Sequence, residues 1–240
     1  MTGWTDLVLT GLLFITAVFY AAVGQGGGSG YLAVMGLVGL PAIWMKPTSL
    51  TLNILVASIG AWKFGRAGHF TPKLFFPLIA TSIPAAFLGG RIALSGTAYQ
   101  WLVALLLSWA AYRLWQASPT AEQPRHWTRP WAIALLLGAI IGFVSGLIGV
   151  GGGIFLAPAL LLSGLATTHQ TLNLTAAFVL VNSIAALLGY LSTGIQLPPQ
   201  LPLWLTAVAV GGWIGAEYGS RHLNPKQLRR LLAVLLLLGA

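Results

Sequence analysis

Apolar residues run along this chain in long blocks, parted by short polar or glycine-rich connections. Ten blocks stand out, at 6–23, 30–40, 47–64, 73–94, 97–116, 131–149, 153–165, 171–193, 201–221 and 226–240. Most approach the length of about 20 residues that a helix needs to cross a bilayer. Barrel strands are about ten residues long with strict alternation, whereas these runs are continuous. The pattern predicts an all-α polytopic membrane protein with about ten transmembrane segments. Segments 30–40 and 153–165 are short for a span, and read as half-helices or tilted helices completed by glycine-rich backbone.

The blocks repeat. Shifted by 125 positions, Gly24-Gln25-Gly26-Gly27-Gly28 lands on Gly149-Val150-Gly151-Gly152-Gly153, and Leu37, Gly39 and Leu40 land on Leu162, Gly164 and Leu165. With small gaps, Asn53 meets Asn182, Gly60 meets Gly189, and Ala85, Gly89 and Ala93 meet Gly211, Gly215 and Gly219. Two homologous units of five helices follow, residues 1–116 and 131–240, joined by the proline-rich linker 117–130. An odd number of crossings per unit inverts the second against the first, which predicts two inverted five-helix repeats. Glycines at every fourth position, Gly138-Gly142-Gly146 and Gly211-Gly215-Gly219, read as ridges that let helix backbones approach closely.

Composition agrees. Hydrophobic residues make up 57% of the 240 positions and charged residues only 6%, against about 25% charged in soluble domains. A net charge of +9 would suggest nucleic acid in a soluble protein, but here the bases are dispersed over the connections and serve orientation. If all ten segments cross, one side collects Lys63, Arg66, Lys73, Arg113, Arg125, Arg129, Arg221, Lys226, Arg229 and Arg230, and the other only Lys46 and Arg91. Ten against two places the rich side, and the linker, in the cytoplasm and both termini outside. If 30–40 and 153–165 re-entered on one side, the split would be six to six. The first run lacks a basic leader and reads as a retained helix. With no cysteine and no H-E-x-x-H spacing among four histidines, no metal site and no cofactor are expected.

The glycine runs are the candidate chemistry. Consecutive glycines weaken a helix by about 1 kcal/mol each, so two runs at matching places predict two helix breaks. Freed backbone groups are tolerated in hydrocarbon only where they line a cavity or a binding site. The helix N-termini after the breaks, near Ser29 and Ile154, would present partial positive charge to an anion. G-Q-G-G-G-S-G lacks the G-K-[ST] ending of a phosphate loop, and no strand precedes it. The alternative is that the glycines serve helix packing alone.

The paired motifs G-Q-G-G-G-S-G and G-L-I-G-V-G-G-G-I-F-L-A-P, with P-T-S-L-T-L-N at 47–53 and A-A-F-V-L-V-N-S at 176–183, resemble the TauE/SafE sulfite exporter family over nearly the whole chain. The second motif carries Val150 where the first carries Gln25. The resemblance implies a secondary transporter that moves a small sulfur-containing anion, such as sulfite or an organosulfonate, across the bacterial inner membrane. Alternatives on the same scaffold are an anion channel and a carrier of a different small organic anion. Too few ionisable groups are present for an intramembrane enzyme, and a structural subunit is the remaining rival.

Substrate-binding candidates are Gln25, Gly26, Gly27, Gly28, Ser29, Thr48, Ser49 and Asn53 in the first unit. In the second they are Gly151, Gly152, Gly153, Thr175, Asn182 and Ser183. Their hydroxyls and amides are neutral donors of the kind that several converging oxyanion oxygens need. Asn53 and Asn182 either donate to the substrate or clamp the breaks through interhelical bonds. Arg91 and Glu217 are candidates for coupling or for an ion pair, Glu217 with Arg221 one turn on. The expected partners are the lipid bilayer, a small anion and a coupling proton or cation; a homodimer is compatible, and nucleic acid is not expected.

Overall fold

The computed structural model describes residues 3–66, 70–92, 129–194 and 197–223, with the single positions 101, 105 and 227. Apart from those positions, the expected segments 97–116 and 226–240 and the linker up to residue 128 lie outside the described residues. Among the described residues the chain is all-helical. In chain order the helices are α1 (Gly3–Ala22), α2 (Gly28–Leu37), α3 (Ala42–Arg66), α4 (Pro72–Arg91), α5 (Pro130–Ile148), α6 (Gly153–Ser163), α7 (Thr168–Leu191) and α8 (Leu201–Arg221).

Local chemistry sets several boundaries. Proline occupies the first turn of α4, α5 and α8, where its missing N–H costs no helical bond. Thr167 and Gln170 form a reciprocal capping box at the start of α7. Gly149 ends α5 and Gly164 ends α6, both with positive φ, the conformation glycine adopts without penalty. The helices keep close to the apolar blocks, except that α3 starts at Ala42, five residues before the expected Pro47.

Among the described residues, five helices are long and apolar enough to cross a membrane: Trp4–Ala22, Ala42–Arg66, Pro72–Arg91, Pro130–Ile148 and Thr168–Leu191. The lipid-side faces carry large exposed side chains such as Leu7, Phe76, Leu136, Leu188 and Tyr218. α2 and α6 have 10 and 11 residues. At 1.5 Å per residue they reach roughly half of a 30 Å hydrocarbon core.

The glycine ridges make the closest seams. A methyl group on Gly211 would lie 2.6 Å from the Phe14 carbonyl oxygen, and Gly215 and Gly219 meet the Val18 and Ala22 carbonyls in the same way. On the other side Gly138, Gly142 and Gly146 press against the backbones of Leu78, Ser82 and Ala86. In both seams the numbers rise together, so α8 runs parallel to α1, and α5 parallel to α4. α3 and α7 cross antiparallel through the centre: Gly60 faces Ala176, and the Asn173 amide donates to the Phe64 carbonyl at 3.0 Å. The element pairings form matching sets, α1 with α8 and α4 with α5, α3 with α8 and α4 with α7, α2 with α3 and α6 with α7.

The two ends of α3 label the two ends of the molecule. At one end Lys46 meets Gly89 and Gly90 of α4. At the other, Lys63 pairs with Glu217 of α8. The first break starts at the Lys63 end, where Gly24 packs on Leu172, and reaches the middle of α3 at Asn53. From there α2 continues towards the Lys46 end, where Gly36 meets Met45. The second break starts at Lys46 and also reaches Asn53. Each short helix is thus completed by extended glycine-rich backbone.

Candidate functional site

The two breaks meet at Asn53. Its side chain is wedged among three glycines: methyl groups on Gly26, Gly28 and Gly151 would lie 2.5, 2.6 and 2.9 Å from its amide atoms. Any other residue at these points would displace the amide or the backbone behind it, which is why the sequence needs glycine here as well as flexibility. Asn53 Nδ2 donates to the Val150 carbonyl at 2.9 Å. Ser49, one turn earlier, lies within hydrogen-bonding range of the Gly149 carbonyl (2.8 Å) and the Gly28 carbonyl (3.2 Å). α3 therefore stitches the first break to the second. Val150, where the sequence pattern departs from Gln25, contributes its backbone oxygen to this stitch.

Both α2 and α6 begin at this crossing. Their N-caps, Gly27 and Gly152, have φ of 102° and 88°, and neither helix has a side-chain cap. Their first-turn N–H groups have no partner within the helix, so two partial positive charges converge on the centre.

Around them lie buried polar atoms that lack a hydrogen-bond partner: Gln25 Nε2, Thr175 Oγ1, Ser183 Oγ and Asn53 Oδ1. Methyl groups placed on the breaks locate three of these side chains. One on Gly151 would stand 2.5 Å from Ser183 Oγ, and one on Gly153 would stand 3.1 Å from Thr175 Cγ2 and 3.6 Å from Gln25 Cγ. A buried polar group without a partner costs about 1–3 kcal/mol. Four such atoms around one crossing make it the candidate binding site. None of these four residues is more than 3% exposed, so the crossing is closed from both ends.

The sequence candidates divide. Gln25, Gly26, Gly28, Ser49, Asn53, Gly151, Gly153, Thr175 and Ser183 gather at the crossing. Gly27 is backed by the Tyr31 ring, and Gly152 by Phe178, Ile141 and Ser145, so both act as caps. Ser29 pairs with the Tyr20 hydroxyl at 2.9 Å. Thr48 is buried with its hydroxyl unpaired. Asn182 donates to Phe178 O of its own helix at 3.0 Å, so its amide nitrogen clamps α7 and not the breaks.

Arg91 and Glu217 lie at opposite ends. Glu217 is held by Lys63 and, at 2.8 Å, by Arg221. Lys63 also stands 3.8 Å from the Trp213 ring centre, and Arg66 stands 4.2 Å from that of Trp62. Arg91 is exposed and ends α4, on the Lys46 side. Seventeen residues of α3, about 25 Å, separate Lys46 from Lys63.

Three residues around the breaks carried no sequence signal. Val179 packs against Gly26, Gly151 and Gly153, and as an ordinary valine in an apolar run it gave no hint. Tyr31 backs the first cap. Lys46 is buried beside Gly149; a lone lysine at a helix start reads as orientation until its neighbours are seen.

A family model described as "Sulfite exporter TauE/SafE" matches residues 9–240. "Probable membrane transporter protein y4hK" of Sinorhizobium fredii is 42% identical over 231 residues, which span 94% of this chain and 93% of that relative. No solved structure matches the chain.

Proposed function

This chain belongs to the sulfite exporter TauE/SafE family, and we propose that it is a secondary transporter carrying a small sulfur-containing anion, sulfite or an organosulfonate, across the bacterial inner membrane by alternating access. The observation that carries this reading is the set of unpartnered atoms of Gln25, Thr175 and Ser183 at two converging helix N-termini. Three buried donors and two helix dipoles suit an oxyanion with several oxygens. Closure at both ends supports a carrier over an open pore.

The units 1–116 and 131–240 are read as inverted repeats with ten crossings in all, joined by the cytoplasmic linker 117–130. The matched pairings and the break-completed short helices support this. Lys63, Arg66 and Arg221 share one end, as the charge count requires of a cytoplasmic face; both termini would then lie outside. The tightest seams join α1 to α8 and α4 to α5, so each rocking body combines helices of both units. A proton or cation gradient is the coupling candidate, and a homodimer is compatible with the exposed apolar faces.

The test is thermal unfolding of the purified protein in detergent against sulfite, thiosulfate, sulfate, taurine, sulfoacetate, acetate and chloride. A ligand that binds only the folded state raises the melting temperature with its saturation. A shift with one sulfur anion and none with chloride is expected. A shift with acetate alone would move the substrate to a carboxylate, and no shift with any would refute the anion site.

A further inference from the structure

Orientation does not account for Lys46. It is 4% exposed, and its ammonium donates to the carbonyls of Gly90 (3.0 Å), Ile92 (3.1 Å) and Gly89 (3.3 Å). The Tyr190 ring lies 5.2 Å away. These partners are the last carbonyls of α4 and its cap; they satisfy its protons and offset about half of its charge as the negative end of the helix. Among the described residues no carboxylate cancels the rest: Glu217 is held at the far end of α3, and Asp6 makes no ion pair. A buried cation normally carries a paired anion.

Its place on α3 suggests where that anion goes. Lys46, Ser49 and Asn53 are spaced i, i+3, i+7, so they share one face of α3. All three meet the breaks: the Lys46 stem touches Gly149, Ser49 reaches Gly28 and Gly149, and Asn53 reaches Gly26, Gly28 and Gly151. Along the helix axis Lys46 and Asn53 are about 10 Å apart. Lys63 and Arg66 belong to the opposite end, and Arg91 is exposed.

Resting on the site proposed above, we infer that Lys46 supplies the charge by which the closed crossing selects an anion over a neutral solute of the same shape. It acts through space, from the Lys46 end of the molecule, while the N–H groups and neutral side chains at the crossing make the contacts. The side chain points back toward the start of α3, so its charge lies about 10–15 Å from the crossing, and at an effective dielectric near 20 it changes affinity roughly 6- to 15-fold.

The experiment measures ligand-dependent melting of the full chain in detergent, titrated with sulfite, ethanesulfonate and the neutral ethyl methyl sulfone. Lys46→Gln keeps a donor for the carbonyls and removes the charge; Lys46→Arg keeps the charge. Wild type is expected to bind an anion and to reject the sulfone. Lys46→Gln should lose roughly 6- to 15-fold in anion affinity, and Lys46→Arg should stay within about threefold of wild type. Anion binding by Lys46→Gln at wild-type strength overturns the assignment of Lys46 and leaves the site intact. Should Lys46→Gln fail to fold, the sulfone still decides, since equal binding of sulfone and sulfonate by wild type overturns charge selection. No shift of wild type with either anion overturns the site and this inference together.

Discussion

Asn53 and Asn182 align with each other in the sequence, yet their amides do different things, and alanine substitutions should separate them. Asn53 Nδ2 donates at 2.9 Å to the Val150 carbonyl, which lies in non-helical backbone of the second break. Asn53→Ala strands that carbonyl in a buried setting, a cost of about 1–3 kcal/mol. Asn182 Nδ2 donates to the Phe178 carbonyl four residues back in the same helix, an oxygen already placed to accept the backbone N–H of residue 182. Asn182→Ala therefore leaves no orphan carbonyl and should cost under about 1 kcal/mol. In a chain of this size 1 kcal/mol moves the melting temperature by about 2–4 °C. Asn53→Ala should melt about 4–8 °C below wild type at the middle of the range, and Asn182→Ala within about 3 °C. The assay is fluorescence-detected unfolding in one detergent, with the double variant to test additivity across the crossing. Equal losses from the two alanines, or an Asn53→Ala protein that melts with wild type, would refute the claim that α3 stitches the breaks together.

Two further outcomes are expected. Gly142→Val puts a methyl group 2.5 Å from the Ser82 carbonyl oxygen on the α4–α5 seam and should cost at least about 1–3 kcal/mol through overpacking; Gly11→Ala, which meets nothing within 4 Å, should leave melting unchanged or raise it, and equal effects in unfolding scans would contradict the seam. Glu217→Gln should lower the melting temperature more than Arg221→Ala, because it removes the carboxylate from a buried Lys63 while Arg221 is 72% exposed; adding Lys63→Met should recover part of the loss, and no recovery would show that the pair is incidental.

The described helices and the two breaks were legible because each is a local property. Apolar runs announce helices, and three glycines between two of them announce an interruption. The small-residue ridges were equally readable, since Gly211, Gly215 and Gly219 fall on one helix face whatever opposes them. What opposes them was not readable, because nothing in a local window links Gly215 to Val18 almost two hundred positions earlier. Glu217 shows both sides of this limit. Its bond to Arg221 follows from a spacing of four, whereas its bond to Lys63 depends on how α3 crosses α8. At the crossing, amides and hydroxyls stood out as polar letters in apolar text, but their directions did not. Asn53 turns to the partner break and Asn182 to its own helix, a difference set by backbone placement that residue type does not encode. The burial of Lys46 is hidden for the same reason, as it depends on the helix end laid over it.

The α1–α8 seam also has a consequence for how the protein is made. Ribosomes add about 5–20 residues per second, and about 190 residues separate Ala22 from Gly211. For some 10–40 s of synthesis, α1 is in the membrane with the groove over Phe14, Val18 and Ala22 still empty. α4 waits far less, since Gly138 follows Ala86 by about 50 residues. The last described helix is thus the closing piece of the first. Chains that stop short of Leu201 should emerge with α1 open to foreign helices and to quality-control proteases, while the α4–α5 seam is already sealed.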